Sequence, residues 1–373
     1  MKVLQVISSG GMYGAERVVL ALAVGLSRLG HECTIAVFAN RHRLNLELAD
    51  RARALGLAVE HISCDGRLDR RALQRVRSIV HSRRIDVVHA HGFKADIYSC
   101  AALRSSSTPL VSTCHNWLNH GLALSLYGVC DRFALRYFDA IVAVSPAVKL
   151  ILERSGVPHN KIEIVDNGID FAGFESAKPA LRAELGLGDA LVIGFVGRLS
   201  PEKGLKDLLR AASSLFSRWE SAKLVFVGAG PEEVSLTTLA NELGIGKRTH
   251  FLGQRSDMPD VYASLDVLAL PSATEGLPLT LLEALASRRA VVASSVGAVP
   301  DVVVGGSTGL LIAPGDVRAL ADAIELLLRD PTLRRRLGEE GRALVLRRYS
   351  ASQMTNEYAT VYQNAMMTRS SQG

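Results

Sequence analysis

Short apolar runs alternate with helix-length amphipathic stretches along almost the whole chain, and no other feature restricts the fold as much. In the first half the runs are Leu4 to Ile7, Cys33 to Phe38, Val87 to His89, Leu110 to Thr113 and Ala140 to Val144. In the second they are Val192 to Val196, Leu224 to Val227, Thr249 to Leu252, Val267 to Leu270 and Val291 to Ala293. Apolar runs this short suit strands covered on both faces, and a helix between successive strands is the connection that parallel pairing needs. The alternation predicts an α/β fold with parallel sheets built from βαβ units. A chain of 373 residues suits two domains, and 48% hydrophobic residues is ample for two cores. The stretch Phe171 to Pro179 lacks clear periodicity. The expected division is therefore 1–172, 173–345 and a terminal segment 346–373. Arg342 to Met366 reads as one helix, and Thr368 to Gly373 as a polar tail expected to be disordered. There is no sequence repeat and no low-complexity region.

Two glutamates, Glu275 and Glu283, stand with seven residues between them in Pro271-Ser272-Ala273-Thr274-Glu275-Gly276-Leu277-Pro278-Leu279-Thr280-Leu281-Leu282-Glu283. Val267 to Leu270 reads as a buried strand, and Leu279 to Ser287 as a helix with Pro278 at its first position. Glu275 then lies in the strand-to-helix loop and Glu283 about one turn into the helix. The amides at a helix start bind anions, so a phosphate fits there with a carboxylate on each side. The two acids are placed to accept hydrogen bonds from hydroxyls, as on a ribose and a hexose. The plainer alternative remains open: Glu275 complements the helix dipole and Glu283 is a surface residue.

A second segment adds cations. The buried-strand pattern Leu191 to Gly197 runs into Arg198-Leu199-Ser200-Pro201-Glu202-Lys203-Gly204, and a helix follows from Leu205. Ligands of open α/β sheets bind beyond the carboxyl ends of strands, and cations there stabilise a departing phosphate. For either cation alone, a solvated surface charge is the usual explanation. At the amino terminus the strand Lys2 to Ile7 leads into the glycine-rich loop Ser8-Ser9-Gly10-Gly11-Met12-Tyr13-Gly14, with a helix near Ala15-Glu16. Glycines let backbone approach a ligand closely.

Taken together, these segments resemble the retaining glycosyltransferases of the GT-B fold, specifically family 4. The resemblance covers nearly the whole chain, including Val165-Asp166-Asn167-Gly168-Ile169-Asp170. It implies two Rossmann-like domains facing across a cleft, an acceptor-binding amino domain, a donor-binding carboxyl domain, and a terminal helix crossing back onto the first. It implies that Arg198 and Lys203 bind the donor diphosphate, Glu283 the ribose and Glu275 the transferred sugar. Gly276, Leu277, Leu279 and Thr280 would line the donor, Gly11 would lie against its phosphates or the acceptor, and Gly10 would stand on the acceptor side. The family also places a histidine at the end of an amino-domain strand near the donor sugar. Leu110-Val111-Ser112-Thr113-Cys114-His115-Asn116 matches it, so His115 takes that role. By itself His115 reads better as a hydrogen-bonded structural histidine. Many members carry Phe-Gly after the first glutamate where this chain has Gly276-Leu277-Pro278. That difference is expected to reshape the sugar pocket rather than abolish activity.

His89 and His91 end another strand at alternate positions, so both rings point to one face. A metal is disfavoured because no third ligand stands at a recognisable spacing. His91, nearer the strand end, is the better candidate for the acceptor side. The expected activity is transfer of a hexosyl unit from a nucleotide diphosphate sugar to a sugar or lipid-linked acceptor hydroxyl, in cell-envelope or exopolysaccharide synthesis, without cofactor or metal. The alternatives are a nucleotide-sugar 2-epimerase of the same fold and a non-catalytic sugar-nucleotide sensor. A dinucleotide oxidoreductase fits less well. Ser9 stands where its fingerprint needs the first glycine, and no acid ends the second strand near Asn40.

Five cysteines, an odd number with no Cys-x-x-Cys, point to a reducing compartment. The amino terminus enters a strand directly, and no apolar stretch has the roughly 18 residues of a spanning helix. A cytoplasmic protein, at most peripheral to the membrane, is expected. Residues 1–175 carry 21 Lys/Arg against 16 Asp/Glu, while the remainder carries 22 against 21. The excess lies in the run from Arg67 through Arg70, Arg71, Arg75 and Arg77 to Arg83-Arg84. Such a helix either faces anionic lipid or is a solvated face. No recognised module or aromatic platform supports nucleic-acid binding.

Overall fold

The structure is a computed structural model that describes residues 1–39, 46–65, 69–115 and 122–371, with side chains of the last segment from residue 128 onward. The chain divides into two units, Met1–Gly168 with Ala351–Gly373, and Ile169–Ser350. The sequence had suggested breaks at 172/173 and 345/346.

The first unit holds seven strands: β1 (Lys2–Ile7), β2 (Glu32–Ala39), β3 (Ala58–Ser63), β4 (Val87–His91), β5 (Leu110–Cys114), β6 (Ala140–Ala143) and β7 (Ile162–Ile164). They pair in the order β3-β2-β1-β4-β5-β6-β7, all parallel. Order reverses between β1 and β4, where Ile7 lies opposite His91. The second unit holds β8 (Val192–Val196), β9 (Lys223–Val227), β10 (Thr249–Phe251), β11 (Val267–Leu270), β12 (Ala290–Ser294) and β13 (Leu310–Ile312). Their order is β10-β9-β8-β11-β12-β13, again parallel, with the reversal between β8 and β11. Every residue of β4, β5, β8, β11 and β12 is buried, as expected of central strands covered by helices on both faces. The apolar-run rule passed over β3, β7 and β13. All three are edge strands; β3 carries Glu60 and His61 mid-strand, and β7 and β13 are three residues long.

Several boundaries differ from the expectation. The single terminal helix Arg342 to Met366 is in fact two, Pro331–Arg348 and Ala351–Ser370. Between them Tyr349 is buried and its carbonyl accepts from the Ile169 amide, while Ser350 forms a parallel bridge with Ile169. The last helix belongs to the first unit, where Tyr358 and Tyr362 are fully buried. The polar tail is helical through Ser370, which corrects its expected disorder. Arg369 holds it there, donating to the carbonyls of Ser106 (2.7 Å) and Arg104 (3.1 Å). The helix at the second glutamate is Leu279–Ala286. Pro278 precedes it in extended conformation (φ −72°, ψ 123°) as the capping residue, not its first helical position.

Among the described residues no helix is long and apolar enough to cross a membrane. The basic run forms the helix Arg70–Arg83; Arg67 and Leu68 lie outside the described residues. Part of its charge serves the fold. Arg75 and Arg83 both bind the Glu60 carboxylate, at 2.6 and 2.5 Å, and Arg77 donates to the Ala102 carbonyl at 2.8 Å. Arg70 and Arg71 are exposed.

Candidate functional site

In the second unit, the loops after β8 and β11 leave adjacent strands at the point where strand order reverses. That is where an open parallel sheet splays its loops apart and admits a ligand. The loop after β8 carries Arg198 and, in a single 3-10 turn (Pro201–Lys203), Lys203. The loop after β11 carries Glu275 and leads into the helix that holds Glu283. The Ala273 amide donates to the Glu202 carbonyl at 2.8 Å, fastening the loops together. Gly204, at φ +65°, brings its α-carbon so near Pro271 that a β-carbon would meet the Pro271 carbonyl oxygen at 2.1 Å. Only glycine satisfies both the left-handed backbone and the close approach.

The structure brings Lys203 and Glu275 together. Lys203 Nζ donates to Glu275 Oε1 at 2.7 Å, and Ser272 Oγ donates to the same oxygen at 2.7 Å. Their side chains are 21% and 8% exposed, so the pair is largely shielded from solvent. The ammonium has two further N–H groups, and Glu275 Oε2 lies outside both bonds, so the pair can still bind a ligand through each partner. Glu283 is buried, 1% exposed, with Oε2 accepting from the Tyr262 hydroxyl at 2.8 Å. The surface alternative for Glu283 is therefore excluded. Leu277 and Leu279 are buried, and the Gly276 carbonyl accepts from the Ala298 amide at 3.0 Å. Thr280 is half-buried in the first turn of the helix.

Sequence reasoning missed three participants here. Ser272 and Tyr262 orient the two carboxylates. Gly297 (φ +55°) supports the Glu275 loop, since a β-carbon there would meet the Glu275 carbonyl oxygen at 2.0 Å. Ser272 lies within the segment of the two glutamates, but no spacing rule singles out a serine three residues before a glutamate. Tyr262 and Gly297 come from other elements, and nothing local pairs them with the glutamates.

In the first unit, the glycine loop after β1 is organised by Glu16 in the following helix, Gly14–Arg28. Glu16 Oε1 accepts from the Gly10 amide at 3.3 Å and Oε2 from the Tyr13 amide at 3.2 Å. The Gly11 amide faces Ser9 Oγ at 3.4 Å. Burial raises the Glu16 carboxyl above its usual range, with those amide bonds opposing. The Gly10 amide is thus occupied by Glu16, and Gly11 is buried within the loop.

His115 follows β5, and its Nε2 lies 3.0 Å from His91 Nδ1. His91 Nε2 lies 2.5 Å from Gln5 Oε1, so both His91 nitrogens are engaged and none remains for an acceptor. The His89 nitrogens are also engaged, with the Tyr362 hydroxyl and Thr113 Oγ1, each at 2.7 Å. The two histidines act as members of a buried polar chain. Asn40 and Asn116 lie outside the described residues.

Burial holds His115 down at about 4 and drives His89 and His91 well below the usual 6.5. Below the unfolded value of 6.5 the unfolded chain binds protons that these rings refuse in the fold. Their contribution is therefore fully present above pH 6.5 and is lost as pH falls toward 4, with a slope of up to about 1.4 kcal/mol per pH unit per histidine. Asp96 acts oppositely, since burial first and then Asp131 push its carboxyl well above 3.8, so the fold takes up a proton there. Urea unfolding of the first unit should show stability falling between pH 6.5 and 4, more steeply in Asp96→Asn. A flat profile in both proteins would contradict the burial of neutral rings.

Each unit is a doubly wound parallel sheet with polar loops gathered at its reversal point, and two such units in one chain are the framework of the GT-B fold. Comparison with known proteins agrees. Residues 12–172 match the family described as Glycosyltransferase Family 4, and residues 177–344 match Glycosyl transferases group 1. The phosphatidyl-myo-inositol mannosyltransferase of Mycobacterium leprae (strain TN) is 33% identical over 294 residues, 78% of this chain and 76% of that one. The N-acetyl-alpha-D-glucosaminyl L-malate synthase of Bacillus anthracis is 29% identical over 237 residues, 63% of this chain and 62% of its own length. Among solved structures, Anabaena HepE in complex with UDP-glucose superposes with TM-score 0.86 at 24% identity, covering 97% of this chain and 99% of that one. The chain belongs to glycosyltransferase family 4.

Proposed function

We propose that the protein transfers a hexosyl unit from a nucleotide diphosphate sugar to an acceptor hydroxyl, with retention at the anomeric carbon, in cell-envelope or exopolysaccharide synthesis. One observation carries this most: a lysine ammonium and a glutamate carboxylate 2.7 Å apart at the reversal point of the second sheet. There a cation for phosphate and an acceptor for sugar hydroxyls stand side by side. In the reaction the bond from the sugar carbon to the diphosphate oxygen breaks, a bond to the acceptor oxygen forms on the same face, and the acceptor's hydroxyl proton passes to the departing diphosphate oxygen. Negative charge develops on the leaving diphosphate, where Arg198 and Lys203 stabilise it. Glu275 positions the sugar, Glu283 takes the ribose, and His115 contacts the sugar. Leu279 and Thr280 offer helix-start amides to the phosphates. The UDP-glucose complex of HepE supports a nucleotide-sugar donor, and the names of the curated relatives support glycosyl transfer.

Thermal unfolding against a panel of nucleotide sugars tests this directly. The right donor at 100 times its dissociation constant should stabilise by about 2.7 kcal/mol. With that donor, transfer to an acceptor should survive excess chelator, because Arg198, Lys203 and the helix amides suffice to neutralise the diphosphate. Strict dependence on added magnesium or manganese would overturn the phosphate assignment. Conversion of the donor sugar without any acceptor would establish an epimerase instead.

The acceptor is proposed to be lipid-linked, met at an anionic membrane face. Arg70 and Arg71 supply the attraction, about 1 kcal/mol each near such a surface. Arg75 and Arg77 hold the helix in place and are unsuitable to replace. The apolar stretch Leu122 to Tyr127 lies outside the described side chains. Binding to anionic vesicles should be salt-sensitive and weaken in Arg70→Gln with Arg71→Gln. Indifference of the unmodified protein to such vesicles at low salt would indicate a water-soluble acceptor.

A further inference from the structure

Seven side chains form a continuous polar chain through the core of the first unit. Starting from His115, it passes to His91, Gln5, the Tyr362 hydroxyl, His89, Thr113 Oγ1 and the Tyr358 hydroxyl, with successive distances of 3.0, 2.5, 3.2, 2.7, 2.7 and 2.9 Å. It joins β1, β4 and β5 to the last helix. Six of its members are buried, and His115 is the partly exposed one.

Each ring nitrogen of a neutral histidine is either donor or acceptor, never both, so one assignment in the chain dictates the next. Gln5 presents Oε1 to His91 Nε2 and Nε2 to the Tyr362 hydroxyl. The carbonyl oxygen can only accept, so His91 carries its proton on Nε2 and accepts at Nδ1. His115 must then donate from Nε2, which leaves its Nδ1 unprotonated. On the other branch Tyr362 accepts from Gln5 and donates to His89 Nδ1, and His89 Nε2–H donates to Thr113. No bond meets donor with donor. Turning the Gln5 amide over would reverse every bond and move the His115 proton to Nδ1, so the two arrangements differ at an observable atom.

We infer that Gln5 and His91 are positioning residues that hold His115 as the Nε2–H tautomer, with Nδ1 an obligate hydrogen-bond acceptor. The group it takes is therefore a hydroxyl proton of the sugar, not an oxygen of the departing phosphate. This last step rests on the sugar-contact reading of His115; the tautomer itself does not.

Nitrogen-15 NMR of the full-length protein with labelled histidine decides the matter, with His115→Ala used to assign the signals. The unprotonated ring nitrogen is resolved from the protonated one. The expected result is His115 with Nδ1 unprotonated and Nε2 protonated. Gln5→Met, which removes the amide and keeps the side-chain length, should release His115 into a mixture of tautomers. His91→Phe should do the same and serves if the first variant folds poorly. In transfer assays each variant should lose turnover in proportion to the Nε2–H fraction it has lost, about twofold for an even mixture. A protein with His115 protonated on Nδ1, or one whose tautomer ignores both variants, overturns the inference. The expected tautomer together with normal turnover in His115→Ala would support the chain while removing the sugar contact.

Discussion

Lys203→Ala is expected to lower kcat by about 10²- to 10³-fold, the cost of removing one preorganised donor from a site where charge develops. Arg198→Ala is expected to act in the same direction. For Lys203 a second effect arises because Glu275 loses its 2.7 Å partner while its side chain stays only 8% exposed. An uncompensated carboxylate there is destabilising. Thermal unfolding should therefore fall along with turnover, and a stability defect alone can mimic a catalytic one. The double variant Lys203→Ala with Glu275→Gln separates them. Neutralising the carboxyl should recover most of the lost stability and none of the lost turnover. Near-normal turnover in Arg198→Ala and Lys203→Ala would remove both residues from the mechanism.

Glu283→Ala is expected to weaken donor binding by about 1.5–3 kcal/mol, the usual worth of a hydrogen bond to a charged group. That corresponds to roughly 10- to 150-fold in the dissociation constant. A ribose contact is made alike in ground and transition states, so turnover at saturating donor should change much less. Tyr262→Phe provides the control. It keeps the carboxylate and removes the 2.8 Å bond that orients it, so donor affinity should fall by a smaller margin, about 0.5–1.5 kcal/mol. If Glu283→Ala leaves donor affinity intact and depresses turnover, the residue acts on the transferred group and the ribose assignment is wrong.

The central strands were legible because each is covered on both faces, and such a strand can be read from apolar residues alone. Val192 to Val196 and Val267 to Leu270 match to the residue. Strands β3, β7 and β13 escaped because polar residues interrupt the first and the other two are three residues long, so each is fixed by pairing with a neighbour rather than marked by a long apolar run of its own. The break at Tyr349 was hidden for a related reason. The helical pattern continues through it, and the Ile169 backbone, distant in sequence, pairs with the chain where it leaves the helix.

The chemistry divides in the same way. Residue types and order along the chain determined the class: an arginine and lysine after one buried strand, two glutamates flanking a helix start after another, and a histidine ending a third. Those are local facts, set by which strand each residue follows. Partnership was decided only in three dimensions. Lys203 meets Glu275 because parallel pairing sets β8 beside β11, which lie far apart in sequence. Tyr262 reaches Glu283 from a different helix. Gln5 governs His115 through His91 because β1, β4 and β5 run side by side. A sequence lists donors and acceptors, but which donor meets which acceptor depends on the register of strands separated by whole helices, and only the folded sheet sets that register.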